Sequence, residues 1–187
     1  MNELVIVKPT KDDFSSACTV FELTIRDAFE RDGLGHLKED IKNEIEEKKN
    51  LLTYSLVNPD SDVHFFAAKL GGNVIGTISF GPCGDDIKIV TNNELADVGE
   101  LGSLYVLPQF QRSGIGSALI TAMINHLNKQ GIEQFCLDSG YKQAQQIWLK
   151  KFGTPYAIAQ DYWGEGYDHM VWLCSVRDFQ TAGKLGS

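Results

Sequence analysis

The chain contains no apolar run near the roughly 20 residues that a membrane-spanning helix requires. Residues 1–8 carry no basic stretch leading into an apolar core, so no secretory leader is expected and a cytoplasmic protein is. Cysteine is sparse. Cys18, Cys83, Cys136 and Cys174 lie far apart without a Cys-x-x-Cys pair, which argues against a zinc ribbon or a disulfide framework and for buried thiols. The histidines, His36, His64, His126 and His169, show no metal-ligand spacing, so no metal site is expected. Positive charge is short as well: 17 Lys and Arg face 25 Asp and Glu, a net −8 that disfavours nucleic acid as a partner. Such a field would attract a cationic substrate such as an amine, although acidity also serves plain solubility. No repeat and no linker divides the 187 residues. One domain over residues 1–177 is expected, with a loose tail over 178–187.

Hydrophobic residues make up 43% of the chain, enough for a packed core. Leu4–Val7 reads as a strand. Thr10 with Asp13 forms an N-cap signature before a helix carrying Phe14, Ala17, Phe21, Ile25 and Phe29, and Gly33 and Gly35 break it. A second helix is expected from about Leu37 to Lys49, with a mixed-charge outer face. Val63–Leu70 and Val74–Phe80 form a hairpin about Gly71-Gly72-Asn73. The polar segment that follows reads as a loop with a short strand at Ile87–Val90. Further on come a strand at Phe135–Leu137, a helix over Tyr141–Phe152, and a final strand pair near Tyr156–Asp161 and Asp168–Val176.

Between these halves lies the most informative stretch, Glu100 to Ile120. Leu101, Leu104, Val106 and Leu107 give a strand that Pro108 closes; Gln109–Ser113 is a loop; from Ile115 the apolar residues Ile115, Leu119, Ile120, Met123, Ile124 and Leu127 fall on one face of a helix. Gly114 and Gly116 stand where that helix begins, leaving backbone N–H groups uncovered at the positive end of its dipole. This is an anion site, suited to phosphate or pyrophosphate. The pattern is not a dinucleotide fingerprint, because Leu119 stands where a third glycine would be. Nor is it a P-loop, since Gly-Lys-Ser/Thr is absent, which disfavours a kinase.

The pattern Gln-x-x-Gly-x-Gly, here Gln111-Arg112-Ser113-Gly114-Ile115-Gly116, set between a strand and a helix, resembles the coenzyme-A-binding motif of the GCN5-related N-acetyltransferase (GNAT) family. The resemblance implies a single-domain α/β fold with a mixed, mostly antiparallel central sheet flanked by helices on both faces. It implies acetyl-CoA as cosubstrate, entering between two splayed strands. Its pantetheine would pair with the backbone of Leu104, Tyr105, Val106 and Leu107, while Gln111, Arg112, Ser113, Gly114, Ile115, Gly116 and Ser117 would wrap the pyrophosphate. Arg112 could add a charge-assisted contact or be solvated surface.

Acyl transfer to an amine of a small molecule or peptide needs a base, because an amine with pKa near ~10 is mostly protonated at neutral pH. Glu100, at the start of the motif strand, matches the family position of a general-base glutamate; otherwise it is a strand-end carboxylate solvated or bonded to neighbouring backbone. The family's acid, a tyrosine on the helix after the next strand, is missing. Trp148 or Leu149 stands there, depending on whether Ala144 or Gly153 anchors the comparison. Tyr141, Tyr156 or Tyr162 could serve instead, as could water, or the thiolate leaves unprotonated. A chain without the acid could also be a non-catalytic acyl-CoA sensor or structural module. The segment Asp161–His169, rich in aromatic and acidic residues, could hold a cation or simply cover a sheet edge. Edge strands at the C-terminus could pair two chains into a homodimer.

Overall fold

The structure is a computed structural model describing residues 3–182. Seven strands are hydrogen-bonded in the order β1-β2-β3-β4-β5-β7-β6, where β1 is Leu4–Val7, β2 His64–Leu70, β3 Asn73–Gly81, β4 Glu100–Val106, β5 Gln134–Ser139, β6 Ala157–Ala159 and β7 His169–Ser175. The helices are α1 Phe14–Arg31, α2 Lys38–Val57, α3 Asp85–Val90, α4 Ile115–Lys129, α5 Lys142–Phe152 and α6 Val176–Ala182. The β1–β2, β2–β3, β5–β7 and β6–β7 pairs are antiparallel, and β4–β5 is parallel at Glu100 and Cys136. The sheet is therefore mixed and mostly antiparallel. No helix among the described residues is long and apolar enough to cross a membrane.

Two compact units share β4 and α4 by sequence. The first comprises the residues up to Phe80 with Ser103–Met123. Its α1 starts where the sequence places it: the Asp13 carboxylate accepts from the Thr10 N–H at 2.9 Å and the Thr10 hydroxyl at 3.1 Å, and pairs with Lys69 at 2.5 Å. Burial works against ionisation of Asp13. The Lys69 ammonium and the two Thr10 donors outweigh it and hold the carboxyl below its ordinary range. Adjacent β4 residues show which helix covers which face. Tyr105 meets Phe21 of α1 edge-on at 5.8 Å and donates its hydroxyl to Glu44 of α2. Val106 of β4 and Leu119 of α4 crowd the bare backbone of Gly76. Neighbouring strand residues point to opposite faces, so α1 and α2 cover one and α4 the other. Helix α2 runs two turns past the Lys49 expected as its end. Leu52 continues the buried stripe of Ile41 and Ile45, Lys49 pairs with Glu22 of α1 at 2.8 Å, and the Asn58 amide closes the end on the Tyr54 carbonyl.

The second unit comprises Gly81–Gly102 with the residues from Ile124 on. Phe135 of β5 packs against Phe152 of α5 and Phe179 of α6 on one face. Cys136, its neighbour, turns to the other, where Ile87 of α3, Leu95, Cys83 and Val171 close around it. The short strand expected at Ile87–Val90 is instead helix α3. β-Branched residues made the segment read as extended, but Asp85 and Asp86 occupy the first turn, Ile87 is fully buried, and the Thr91 hydroxyl returns to the Ile87 carbonyl at 2.7 Å. The loose tail expected from residue 178 is helical through Ala182, because Phe179 reaches the Phe135–Phe152 cluster; residues 183–187 of that tail lie outside the described residues.

Candidate functional site

In the first unit, β4 ends at Val106 and a single 3-10 turn over Pro108–Phe110 carries the chain into the Gln111–Gly114 loop and α4. Gln111 fastens this loop to the strand, donating its side-chain amide to the Val106 carbonyl at 3.0 Å while its oxygen accepts from Arg31. The motif glutamine is thus a brace. Arg112 and Gly114 both adopt left-handed conformations, φ 60° and 84°, of the kind that turns successive N–H groups to one side. The helical ladder begins with Ala118 N–H on the Gly114 carbonyl, so the first-turn amides precede it at the positive end of a 15-residue helix. A β-carbon built on Gly114 or on Gly116 meets nothing within 4 Å. At Gly114 the conformation alone asks for glycine; at Gly116 neither φ nor packing does, and the bare backbone leaves room for an anion to come close.

The expected pantetheine strand is only partly open. Leu107 donates its N–H to Ile75 of β3 and accepts from Phe110, which engages both of its backbone groups, and the Val106 carbonyl is taken by Gln111. One residue of the strand is unusual. Ser103 sits mid-strand at φ 47°, is 7% exposed, and its Oγ has no hydrogen-bond partner among the described residues. A left-handed φ on a residue with a β-carbon costs about 1–2 kcal/mol, and a buried hydroxyl left unpaired about 1–3 kcal/mol. The buried Thr77 hydroxyl holds this kink by donating to the Ser103 carbonyl at 2.8 Å. Nothing in the sequence marked Ser103, apart from a Gly-Ser pair in an otherwise apolar strand.

In the second unit, Glu100 is half-buried and accepts the Gly84 N–H on Oε2 at 2.7 Å, so α3 holds the carboxylate from its N-cap. A side chain at Gly84 would collide with it, its β-carbon falling 2.8 Å from that oxygen. Glu100 pairs with Cys136 across β4 and β5, and Asp138 lies two residues farther along β5, so both carboxylates are on one sheet face. Burial, followed by the charge of Glu100, pushes the Cys83 thiol up. Burial, then Cys83 and Glu100, pushes Cys136 up strongly. All four cysteines are buried thiols.

Two of the three phenols considered as acids are committed elsewhere. Tyr162 donates to Asp86 at 2.8 Å, and burial, this bond and the nearby negative charge push it up to about 12. Tyr156 donates to Glu94, which raises it too. Neither is poised to release a proton at neutral pH. Tyr141 stands at the N-cap of α5 with its backbone N–H on the Ser139 hydroxyl. The aromatic and acidic segment forms the β6–β7 turn, and its order was not legible in the sequence. The Trp163 indole donates to His169 Nδ1 at 2.9 Å, so the proton of the ring lies on Nε2, which meets Asp138 at 2.8 Å. His169 is 4% exposed and Trp163 55%.

A family model described as "Acetyltransferase (GNAT) family" matches residues 20–154. Solved structures share the fold. One from Desulfovibrio desulfuricans, described as an acetyltransferase of the GNAT family, superposes with TM-score 0.69 at 16% identity over 93% of this chain and 99% of its own. PaiA N-acetyltransferase from Thermoplasma acidophilum, in complex with coenzyme A, gives 0.65 at 18% identity over 91% and 98%. The ribosomal-protein-S18-alanine N-acetyltransferase of Escherichia coli gives 0.60 at 16% over 93% and 94%. No curated protein matches the sequence significantly.

Proposed function

The chain belongs to the acetyltransferase (GNAT) family, and on that premise we propose that it is an N-acetyltransferase moving the acetyl group of acetyl-CoA to a primary amine of a small molecule or peptide by direct attack on the thioester. The observation that carries this reading is the mouth of α4, where Gly114 and Gly116 leave open space beside amides at a helix N-terminus. The residues present fit the diphosphate of coenzyme A: Arg112 to Ser117 supply donors, Gln111 braces the loop, and Leu104 to Val106 offer backbone to the pantetheine. The cosubstrate supplies an activated acyl group. The Thermoplasma neighbour holds coenzyme A, and the Escherichia coli neighbour is named for a protein alanine as acceptor. A cytoplasmic setting suits such a donor.

Glu100 is the base in this scheme. It takes the ammonium proton, directly or through water, so that a neutral nitrogen can attack, and the Gly84 N–H fixes its orientation. Tyr141, at the N-cap of α5, is the phenol assigned to the departing sulfur, by its place on the helix after β5. The commitment of Tyr156 and Tyr162 to carboxylates favours one rival, an acyl-CoA-binding sensor with no chemistry to perform. Incubation with acetyl-CoA and a panel of amines, read by thiol release, separates them. Release with at least one amine is expected. Tight coenzyme A binding with no release across the panel would refute the catalytic reading.

A further inference from the structure

Resting on the acetyl-transfer reading, we propose that Asp138 is the residue that recognises the ammonium group of the acceptor beside Glu100, and that His169 is its positioning residue. The one ion-pair partner of Asp138 among the described residues is His169, whose Nε2 meets Oδ2 at 2.8 Å. The Trp163 indole donates to Nδ1 of the same ring, so the imidazole donates from Nε2 as a neutral group and brings Asp138 no counter-charge. Among the described residues Asp138 Oδ1 accepts no hydrogen bond, and the Asp138 side chain is 23% exposed where that of His169 is 4% exposed. A carboxylate fixed from behind and open in front is prepared for a cation from outside. The supporting rings are themselves seated: a β-carbon on Gly140 would fall 2.6 Å from Trp163 Nε1 and 3.4 Å from His169 Nδ1, so both rest on bare main chain. Tyr162 packs edge-on against Trp163 at 4.8 Å and ties the turn to α3 through Asp86.

All of these residues belong to the second unit, and the ground between the two carboxylates is bare. Glu100 and Cys136 are register partners on β4 and β5, so Asp138, two residues on, shares the face of Glu100. Gly102 holds the matching place on β4 and carries no side chain to fill the space beside Asp138; Glu100, Gly102, Asp138 and Gly140 are all half-buried. One strand across and two residues along put the α-carbons of Glu100 and Asp138 about 8 Å apart, a span that two carboxylates reaching inward can close on one nitrogen. Both lie near enough to raise the Cys83 and Cys136 thiols, after burial has done so more strongly. A primary ammonium group has three N–H protons. One passes to Glu100, and the electron pair left on nitrogen forms the bond to the thioester carbon while the carbon–sulfur bond breaks with its pair leaving on sulfur. A second stays directed at Asp138 before and during the attack, and such uniform binding lowers KM and leaves kcat alone.

Asp138→Asn keeps an acceptor for His169 and removes the charge. With the panel amine of highest kcat/KM, KM should rise about 10- to 100-fold, the loss of one charge-assisted hydrogen bond, while kcat stays within about threefold. The alcohol with hydroxyl in place of that amine is the neutral probe, and its inhibition constant should stay within about twofold. His169→Phe, which takes away the donor behind Asp138, should raise the same KM about 3- to 10-fold, and His169→Gln, which returns an N–H, should restore it to within about twofold. Should Asp138→Asn fold poorly, Asp138→Ser carries the same measurements. A KM unmoved by loss of the charge, or a rise shared equally by amine and alcohol, overturns the role of Asp138. Two His169 variants that lower the melting temperature alike without moving KM overturn the positioning role. A wild type that releases thiol with no amine overturns both together with the acetyl-transfer reading.

Discussion

Gly116→Ala separates a glycine kept for folding from one kept for a ligand. Position 116 is in the first turn of α4, its φ is not left-handed, and an added β-carbon meets no atom within 4 Å. In the unliganded protein the change should therefore be favourable: alanine exceeds glycine in a helix by roughly 0.5–1 kcal/mol. At the ~2–4 °C per kcal/mol usual for a chain of this size, the melting temperature should rise about 1–4 °C. Binding should move the other way. The methyl occupies the space from which a phosphate oxygen reaches the amides, and losing one charge-assisted hydrogen bond costs about 1.5–3 kcal/mol, or about 10- to 100-fold in affinity. Thermal unfolding without ligand and calorimetric titration with coenzyme A measure the two effects on one sample. A stabilised variant that binds coenzyme A as the wild type does would refute the placement of the diphosphate at α4.

Glu100→Gln keeps an acceptor for the Gly84 N–H, so folding should survive, while kcat near neutral pH should fall about 100-fold or more and partly recover in alkali; a rate loss under ~3-fold would exclude Glu100 as the base. Tyr162→Phe should remove a phenol that titrates near 12 from the near-ultraviolet absorbance profile and leave kcat within about twofold, whereas Tyr141→Phe should lower kcat. Equal effects of the two on rate would defeat this assignment of the phenols. Asp13 contributes stability that is present above the ordinary carboxylate range and lost as the pH falls through its lowered folded value, because Lys69 and Thr10 bind the ionised form. Lys69→Met should therefore cost about 1.5–3 kcal/mol in urea unfolding at pH 7, one hydrogen bond to a charged group, and the difference from the wild type should shrink toward pH ~2. A cost that is constant with pH would place the effect in packing instead.

The turn into α4 could be read from sequence because its demands are local: a left-handed turn and a helix start leave glycines at fixed spacing, and an apolar stripe announces α4. Order and type of most elements followed from the same kind of periodicity. What escaped depends on partners distant in the chain. Helix α3 looks extended until the burial of Ile87 and the Glu100 carboxylate at its N-cap are known. The last turns of α2 rest on Leu52 and on Lys49 meeting Glu22, and α6 on Phe179 finding Phe152. Ser103 is a common residue in an uncommon conformation, which one sequence does not encode visibly. The Trp163–His169–Asp138 chain joins the β6–β7 turn, β7 and β5, and no spacing rule anticipates it.

One absent methyl has a wide reach. A β-carbon on Gly76 would stand 3.1 Å from the Tyr105 carbonyl and 3.2 Å from the tip of Leu119, so α4 rests on naked β3 main chain at that point. The height of the helix above the strands is thereby set from below, by a residue with no side chain. A side chain there would force its neighbours, the Tyr105 main chain among them, to give by a few tenths of an ångström, shifting the seat of the helix while every loop residue stays intact. Glycine is thus required beneath α4 for close packing and above it, at Gly114, for conformation, two separate demands on one residue type.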